Sequence, residues 1–374
     1  MPAFLPLELV HKVIQDVDDQ PTLAACCRVA RPFLDESRRR LYGQIDIKLP
    51  EGDDVDTYHW DDASLDLVRM LLRCPTIADL VQAVALVETV ELAGKTRRGI
   101  STSAQKALCD VLAACSGVHT VTLPAGSINF AACAGLSAAA DERESAGREP
   151  HDLRTLELQF PNFLTEEMLE HYPRVEHLRF SSPGGLDDAD GGFDPNLPTL
   201  SDLRLSSLVL RQLDPASAPH FVRNLTRSSL DTLTRLENEI DALVSALPTC
   251  TAVRTLRLAT LFEFEEEDEC VEALCTTIPA SFPRSLVALS VLFNDGSESD
   301  CHLSYSLYTL RALLSAPSPA RLRSFTYDRR PYELEAATTV HGAEKRKELD
   351  KFEEECREKG LLCRGLRSGQ EWWE

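Results

Sequence analysis

At 374 residues, 43% of them apolar, the chain has material for one large or two modest hydrophobic cores. Its net charge of −21 and isoelectric point near 4.9 argue against nucleic acid as a partner, because phosphates demand a basic face. Met1-Pro2-Ala3-Phe4 carries no basic region followed by a long apolar one, so no signal peptide is expected. The longest weakly polar run, Ile128 to Ala140, is too short to span a bilayer, and no membrane partner is expected. Twelve cysteines are dispersed along the chain and read as reduced thiols rather than a disulfide framework. The expected compartment is the cytoplasm, the nucleus or both, where the Asn224-Leu225-Thr226 sequon has no meaning.

Leu9, Val10, Val13, Ile14 and Val17 fall at helical spacing. Asp18 and Asp19 break the pattern, and Pro21 suits the first turn of a second helix bearing Leu23, Cys26, Cys27 and Ala30. Pro32 ends that helix. Phe33, Leu34, Ser37 and Leu41 then predict a third, with a basic outer face. Three short helices bury too little surface to be stable alone, so this segment is expected to lean on another polypeptide.

Leu5, Pro6, Glu8 and Leu9 match Leu-Pro-x-Glu-(Leu/Ile), and Ile14, Leu23, Val29 and Phe33 follow at matching positions; the stretch resembles an F-box. Val17, Ala30 and Phe33 depart from the residues most common there without changing polarity. The segment Ser37-Arg38-Arg39-Arg40-Leu41-Tyr42 is similar to the tail of F-boxes in fungal leucine-rich-repeat proteins. The resemblance implies docking on a Skp-family adaptor through Leu5, Pro6, Leu9, Ile14, Leu23 and Val29, and through the adaptor on a Cullin.

An acidic linker, Pro50 to Asp62, precedes renewed helical spacing at Leu65, Val68, Met70, Leu71 and Leu72. A hexad then recurs, apolar-x-x-apolar-x-apolar. Its starts at Val118, Leu153, Val175, Leu200, Leu230, Val253, Leu286 and Leu322 are spaced from 22 to 36 residues apart. The copy at Leu230 is slipped, and a first copy lies at Val81–Leu86 or Val87–Leu92. Each spacing suits a strand with a return helix, and such repeats bury their apolar faces only by stacking. The pattern resembles a ribonuclease-inhibitor-type leucine-rich-repeat solenoid, although the Asn or Cys that usually follows the strand survives only as Asn294. An ordinary α/β domain with several similar strands is the alternative. The expected fold is α/β: a three-helix F-box at 1–47, a linker at 48–64, an irregular solenoid at 65–330 and a charged helical cap or tail at 331–374. In that last segment Leu349, Phe352 and Cys356 share one stripe, and Trp372-Trp373 close the chain.

No catalytic constellation, cofactor or metal site is expected. Ala93-Gly94-Lys95-Thr96 lacks the earlier glycine of a phosphate loop, since Thr89 stands there. Asp187, Asp188, Asp190 and Asp194 are spaced wrongly for a calcium loop, and Cys270 and Cys275 lack a matching pair for zinc. His171 and His177 read as loop or surface residues. The strand position between the last two apolar residues points away from the core. There the repeats carry Glu91 or Ala85, Thr122, Glu157, Arg179, Arg204, Thr234, Arg257, Ser290 and Thr326. Arg179, Arg204 and Arg257, with Glu157, are the candidate client-binding residues. Arg179 and Arg204 on adjacent strands could grip an acidic or phosphorylated segment together, or be paired to Asp202 or Glu157. The expected function is client recognition in a Skp–Cullin–F-box ubiquitin ligase. The alternative is a leucine-rich-repeat scaffold acting outside one.

Overall fold

An apolar residue at alternate positions gives each short strand one face to bury, and within each unit successive strands bury it side by side. The computed structural model describes residues 7–17, 19–29, 31–48, 62–87, 109–123, 128–149, 151–158, 166–181, 203–211, 227–239, 247–260, 276, 278–293, 307–315, 321–329 and 342–366. They divide into two compact units, residues 1–175 and 176–374. Pro50–Asp61 of the linker, the Ala93–Thr96 segment, the acidic stretches at 184–195 and 263–269, Cys270, Cys275, Asn294 and Trp372-Trp373 lie outside the described residues.

The first unit opens with three helices, α1 (Leu7–Gln15), α2 (Gln20–Val29) and α3 (Arg31–Gly43). Strand β1 (Gln44–Lys48) follows α3 directly, then come α4 (Asp62–Arg73), α5 (Pro75–Ala78), β2 (Ala83–Val87), β3 (Thr120–Thr122), α6 (Ile128–Ser145), β4 (Thr155–Leu158) and α7 (Glu166–His171). All neighbouring strands are parallel: β1 pairs with β2, β2 with β3 and β3 with β4. Ile45, Val84, Val121 and Leu156 stand in register across these strands, all buried. The register settles the first repeat as Val81–Leu86. It also adds β1, whose hexad Tyr42–Ile47 went unread because the sequence reading placed it in the N-terminal helical segment.

Long side chains satisfy carbonyls at the end of helical residues 109–114 and just past α6. Arg143 Nη1 donates to Ala113 O at 3.2 Å, Arg143 Nε to Glu149 O at 3.0 Å, and the His151 Nε2 hydrogen to Cys115 O at 3.0 Å. Gly147, at φ +67°, ends α6 in a Schellman turn: Arg148 N–H reaches Arg143 O at 2.8 Å and Gly147 N–H reaches Glu144 O at 2.9 Å. The charged stretch before Asp152 is therefore ordered by its own caps.

The second unit holds β5 (His177–Ser181), β6 (Ser207–Arg211), β7 (Arg235–Glu239), β8 (Thr255–Thr260), β9 (Ala288–Phe293), β10 (Ser324–Asp328) and β11 (Leu362–Leu366), parallel and neighbours in sequence order. Between them lie a 3-10 turn (Leu247–Thr249), a helical turn (Ile278–Ala280), α8 (Leu307–Ser315) and α9 (Gly342–Glu358). Two sequence readings are corrected. The hexad at Leu200–Leu205 gives way to the overlapping one at Leu205–Leu210, and the slipped copy at Leu230 gives way to a frame on Leu233 and Leu236. The cause is local hydrogen bonding. Ser229 Oγ accepts from Leu205 N–H at 2.8 Å and donates to Leu203 O at 3.0 Å, while Ser228 Oγ donates to Leu203 O at 2.7 Å and Thr232 Oγ1 to Leu205 O at 2.8 Å. The backbone of Leu203 and Leu205 is thus engaged by hydroxyls and is not available as a strand.

Residues 331–374 hold a strand as well as the expected helix. Leu349, Phe352 and Cys356 are buried as predicted. Phe352 packs edge-on to Phe325 (6.2 Å between ring centres) and Tyr327 (5.6 Å), contacts worth about 0.5–1.5 kcal/mol each beyond burial. Gly365 of β11 has no Cβ, and one added there would lie 2.8 Å from Arg329 Cδ and 3.0 Å from Tyr327 Oη. That space lets Tyr327 Oη donate to Glu353 Oε1 at 2.6 Å beside Arg329 Nη1 at 2.9 Å.

No helix among the described residues is long and apolar enough to cross a membrane. Two outcomes follow from this packing. Ser229→Ala strands the buried Leu205 N–H and should cost about 1–3 kcal/mol in urea unfolding. Burial, then the nearby Arg143 guanidinium, pulls His151 from 6.5 down to about 4. The unfolded chain therefore takes up this proton first, so His151 stabilises the fold above pH 6.5. That contribution is lost as the pH falls toward 4, on the order of 3 kcal/mol in all. His151→Gln should flatten the stability curve across that window.

Candidate interaction surfaces

Helix α1 has apolar residues on two ridges. Val10 and Ile14 are buried with Leu23 of α2, and Val17, Phe33 and Leu41 pack against this cluster. Leu9 and Val13, one turn apart, are 50% and 53% exposed. Val29, at the end of α2, is 68% exposed. Asp19 starts α2 by accepting the Thr22 N–H at 2.8 Å, with Pro21 in the first turn. The Thr22 bonds hold the Asp19 carboxyl below the ordinary carboxylate range. Arg40 leaves the basic outer face expected of α3. Its Nη1 donates to Ile14 O at 2.6 Å and to Gln15 O, capping α1 from α3.

The six residues expected to face a partner therefore divide. Leu5 and Pro6 lie outside the described residues. Leu9 and Val29 are exposed. Ile14 (0% exposed) and Leu23 (4%) are core, not contact surface, because three helices this short need them to close on one another. Val13 stands exposed beside Leu9 on the outer ridge of α1. Its helical spacing to Leu9 was readable, but which ridge turned inward was not.

On the strand face, Asp46, Ala85, Thr122 and Glu157 stand in register in the first unit. In the second the same row runs Arg179, Val209, Glu237, Arg257, Ser290, Thr326 and Arg364. Arg204 precedes β6, and the residue paired with Arg179 is the buried Val209, so a joint grip by Arg179 and Arg204 on adjacent strands is overturned. Arg179 and Arg257 are separated by two strands, and Glu157, Arg179 and Arg257 each have an interaction partner within the chain. Arg364 was missed because β11 bears cysteine and glycine at its core positions and so shows no apolar hexad.

The two candidate histidines make polar contacts within the chain. His171 Nε2 lies 3.6 Å from Asp141, and His177 Nδ1 lies 3.3 Å from Ser206 Oγ. Burial pushes the Cys115 thiol up to about 12 and the Cys109 thiol up to about 11, far from a reactive thiolate. Among the described residues no group of three or more His, Cys, Asp or Glu is placed to hold a metal.

No protein-family model matches the chain, and no curated protein is significantly similar to it. The two ridges of α1 make a direct comparison. Ile14→Ala should lower stability by about 2–5 kcal/mol in chemical denaturation, and Leu9→Ala should stay within about 0.5 kcal/mol of the parent.

Proposed function

We propose that the chain is the client-recognition subunit of a Skp–Cullin–F-box ubiquitin ligase, with α1–α3 as the F-box and the parallel strands as an irregular leucine-rich-repeat solenoid. The observation that carries this reading is the exposed Leu9–Val13 ridge on a helix trio whose own core is only Val10, Ile14 and Leu23 with their partly buried neighbours. A surface helix ordinarily turns such a ridge inward, and a second apolar ridge left in water suits a dry contact with an adaptor. The one-strand-per-repeat order, parallel throughout each unit, supports the solenoid reading. On this reading the chain has no catalysis of its own. It raises the effective concentration of a client near transfer machinery on other subunits, in the cytoplasm or nucleus. The strand face between Arg257 and Arg364, with the half-buried hydroxyls of Ser290 and Thr326, would take an acidic or phosphorylated client segment.

The test is co-purification of the tagged full chain with a Skp-family adaptor and a Cullin. The parent should retain both. Leu9→Glu with Val13→Glu, which leaves the internal core untouched, should reduce adaptor capture about tenfold or more while the circular dichroism spectrum is kept. Adaptor capture without a Cullin supports a scaffold outside the ligase. Unchanged capture by the folded double variant, or none by the parent, overturns the docking ridge.

A further inference from the structure

At the register position of Cys363, every other strand of the second unit places a leucine or phenylalanine: Leu178, Leu208, Leu236, Leu256, Leu289 and Phe325. Cys356 continues the buried stripe of Leu349 and Phe352 on α9. A Schellman turn brings the two cysteines together. Leu361 N–H reaches Cys356 O at 2.9 Å, Gly360 N–H reaches Arg357 O at 2.9 Å, and Gly360 adopts φ +75°. The chain reverses there from α9 into β11, and the two thiols hydrogen-bond to each other. Both are free, Cys356 almost fully buried and Cys363 half-buried.

We propose that Cys356 and Cys363 are an oxidation-sensitive dithiol that closes to a disulfide between the end of α9 and β11, with a small-molecule disulfide as the oxidant. The exposures set the order of events. Cys363, the more accessible sulfur, attacks the small disulfide as its thiolate, forms a mixed disulfide and releases one small thiolate. Cys356 then gives up its proton to that released thiolate and attacks the Cys363 sulfur. This forms the intramolecular bond and expels the second small thiolate, which takes up the proton first lost by the pair. Two protein thiols are oxidised and one small disulfide is reduced to two thiols, so electrons and protons balance. The shared hydrogen bond lowers the Cys356 thiol and, with burial, raises that of Cys363, so the first proton leaves from Cys356 and passes back across the bond from Cys363 as the accessible sulfur attacks. Among the described strands, β11 is paired on one side only, with β10. The closed bond would fix it to α9 and slow its release.

The test treats the folded full chain with oxidised glutathione and maps its peptides. The expected product is a Cys356–Cys363 link, with slower amide exchange across residues 342–366 than in the reduced chain. Cys356→Ser should hold a stable glutathione adduct on Cys363, and Cys363→Ser should leave Cys356 unmodified. A parent chain that keeps a mixed adduct on Cys363 without closing, that links either cysteine elsewhere, or that modifies neither sulfur overturns the proposal. The parent decides the matter even if a variant does not fold.

Discussion

The fold hangs on one backbone contact repeated from strand to strand. The carbonyl of the residue just before a strand accepts two N–H groups from the lead-in of the next. Gln82 O takes His119 and Thr120, His119 O takes Arg154 and Thr155, Thr234 O takes Arg254 and Thr255, and Arg254 O takes Val287 and Ala288. These bonds hold the register through the backbone alone. They also tolerate variation elsewhere. The centres of β7 and β8, Glu237 and Arg257, are only 20 residues apart, leaving room for a 3-10 turn, whereas those of β10 and β11, Thr326 and Arg364, are 38 apart and enclose α9. Burial supports the same frame, since the inward residues at these registers are almost all aliphatic or aromatic.

Side-chain hydroxyls reinforce that frame where an asparagine ladder is missing. Ser206 Oγ donates to Glu176 O, Thr234 Oγ1 to Ser206 O, and Ser285 Oγ to both Thr251 O and Val253 O. The first two add a donor to carbonyls that already accept two backbone N–H groups, and Ser285 serves two turn carbonyls that carry no such pair. Short polar side chains can do this from several turn positions, which is why no single residue type marks the repeat.

The helix trio obeys a different economy of space. Its core is small, and Arg40 adds a polar tie by capping α1 from α3. The Leu9–Val13 ridge lies outside that cluster and is about half exposed. At the other end of the chain, α9 covers its strands with a mixture of aromatic packing and polar contacts. Arg311 holds Glu355 through two nitrogens at 2.9 and 3.3 Å, and Arg329 with Tyr327 holds Glu353. The missing side chain at Gly365 makes the second of these sterically possible.

The amino-acid order by itself determined the alternation that makes strands at Val118, Leu153, Val175, Val253, Leu286 and Leu322, and the buried stripe of α9. It also determined three helices near the start and their apolar positions. Only the tertiary structure decided between overlapping frames, such as the two hexads sharing Leu205, because that choice rests on hydroxyls some 25 residues further along. It alone revealed β1, whose Ile45 and Ile47 directly follow a helix, and β11, whose core positions are filled by Cys363 and Gly365. It alone chose which ridge of α1 turned inward. Periodicity is a local property and survives in one dimension. Register and sidedness depend on which distant donor reaches a given carbonyl, and on which of two equally apolar ridges finds Leu23.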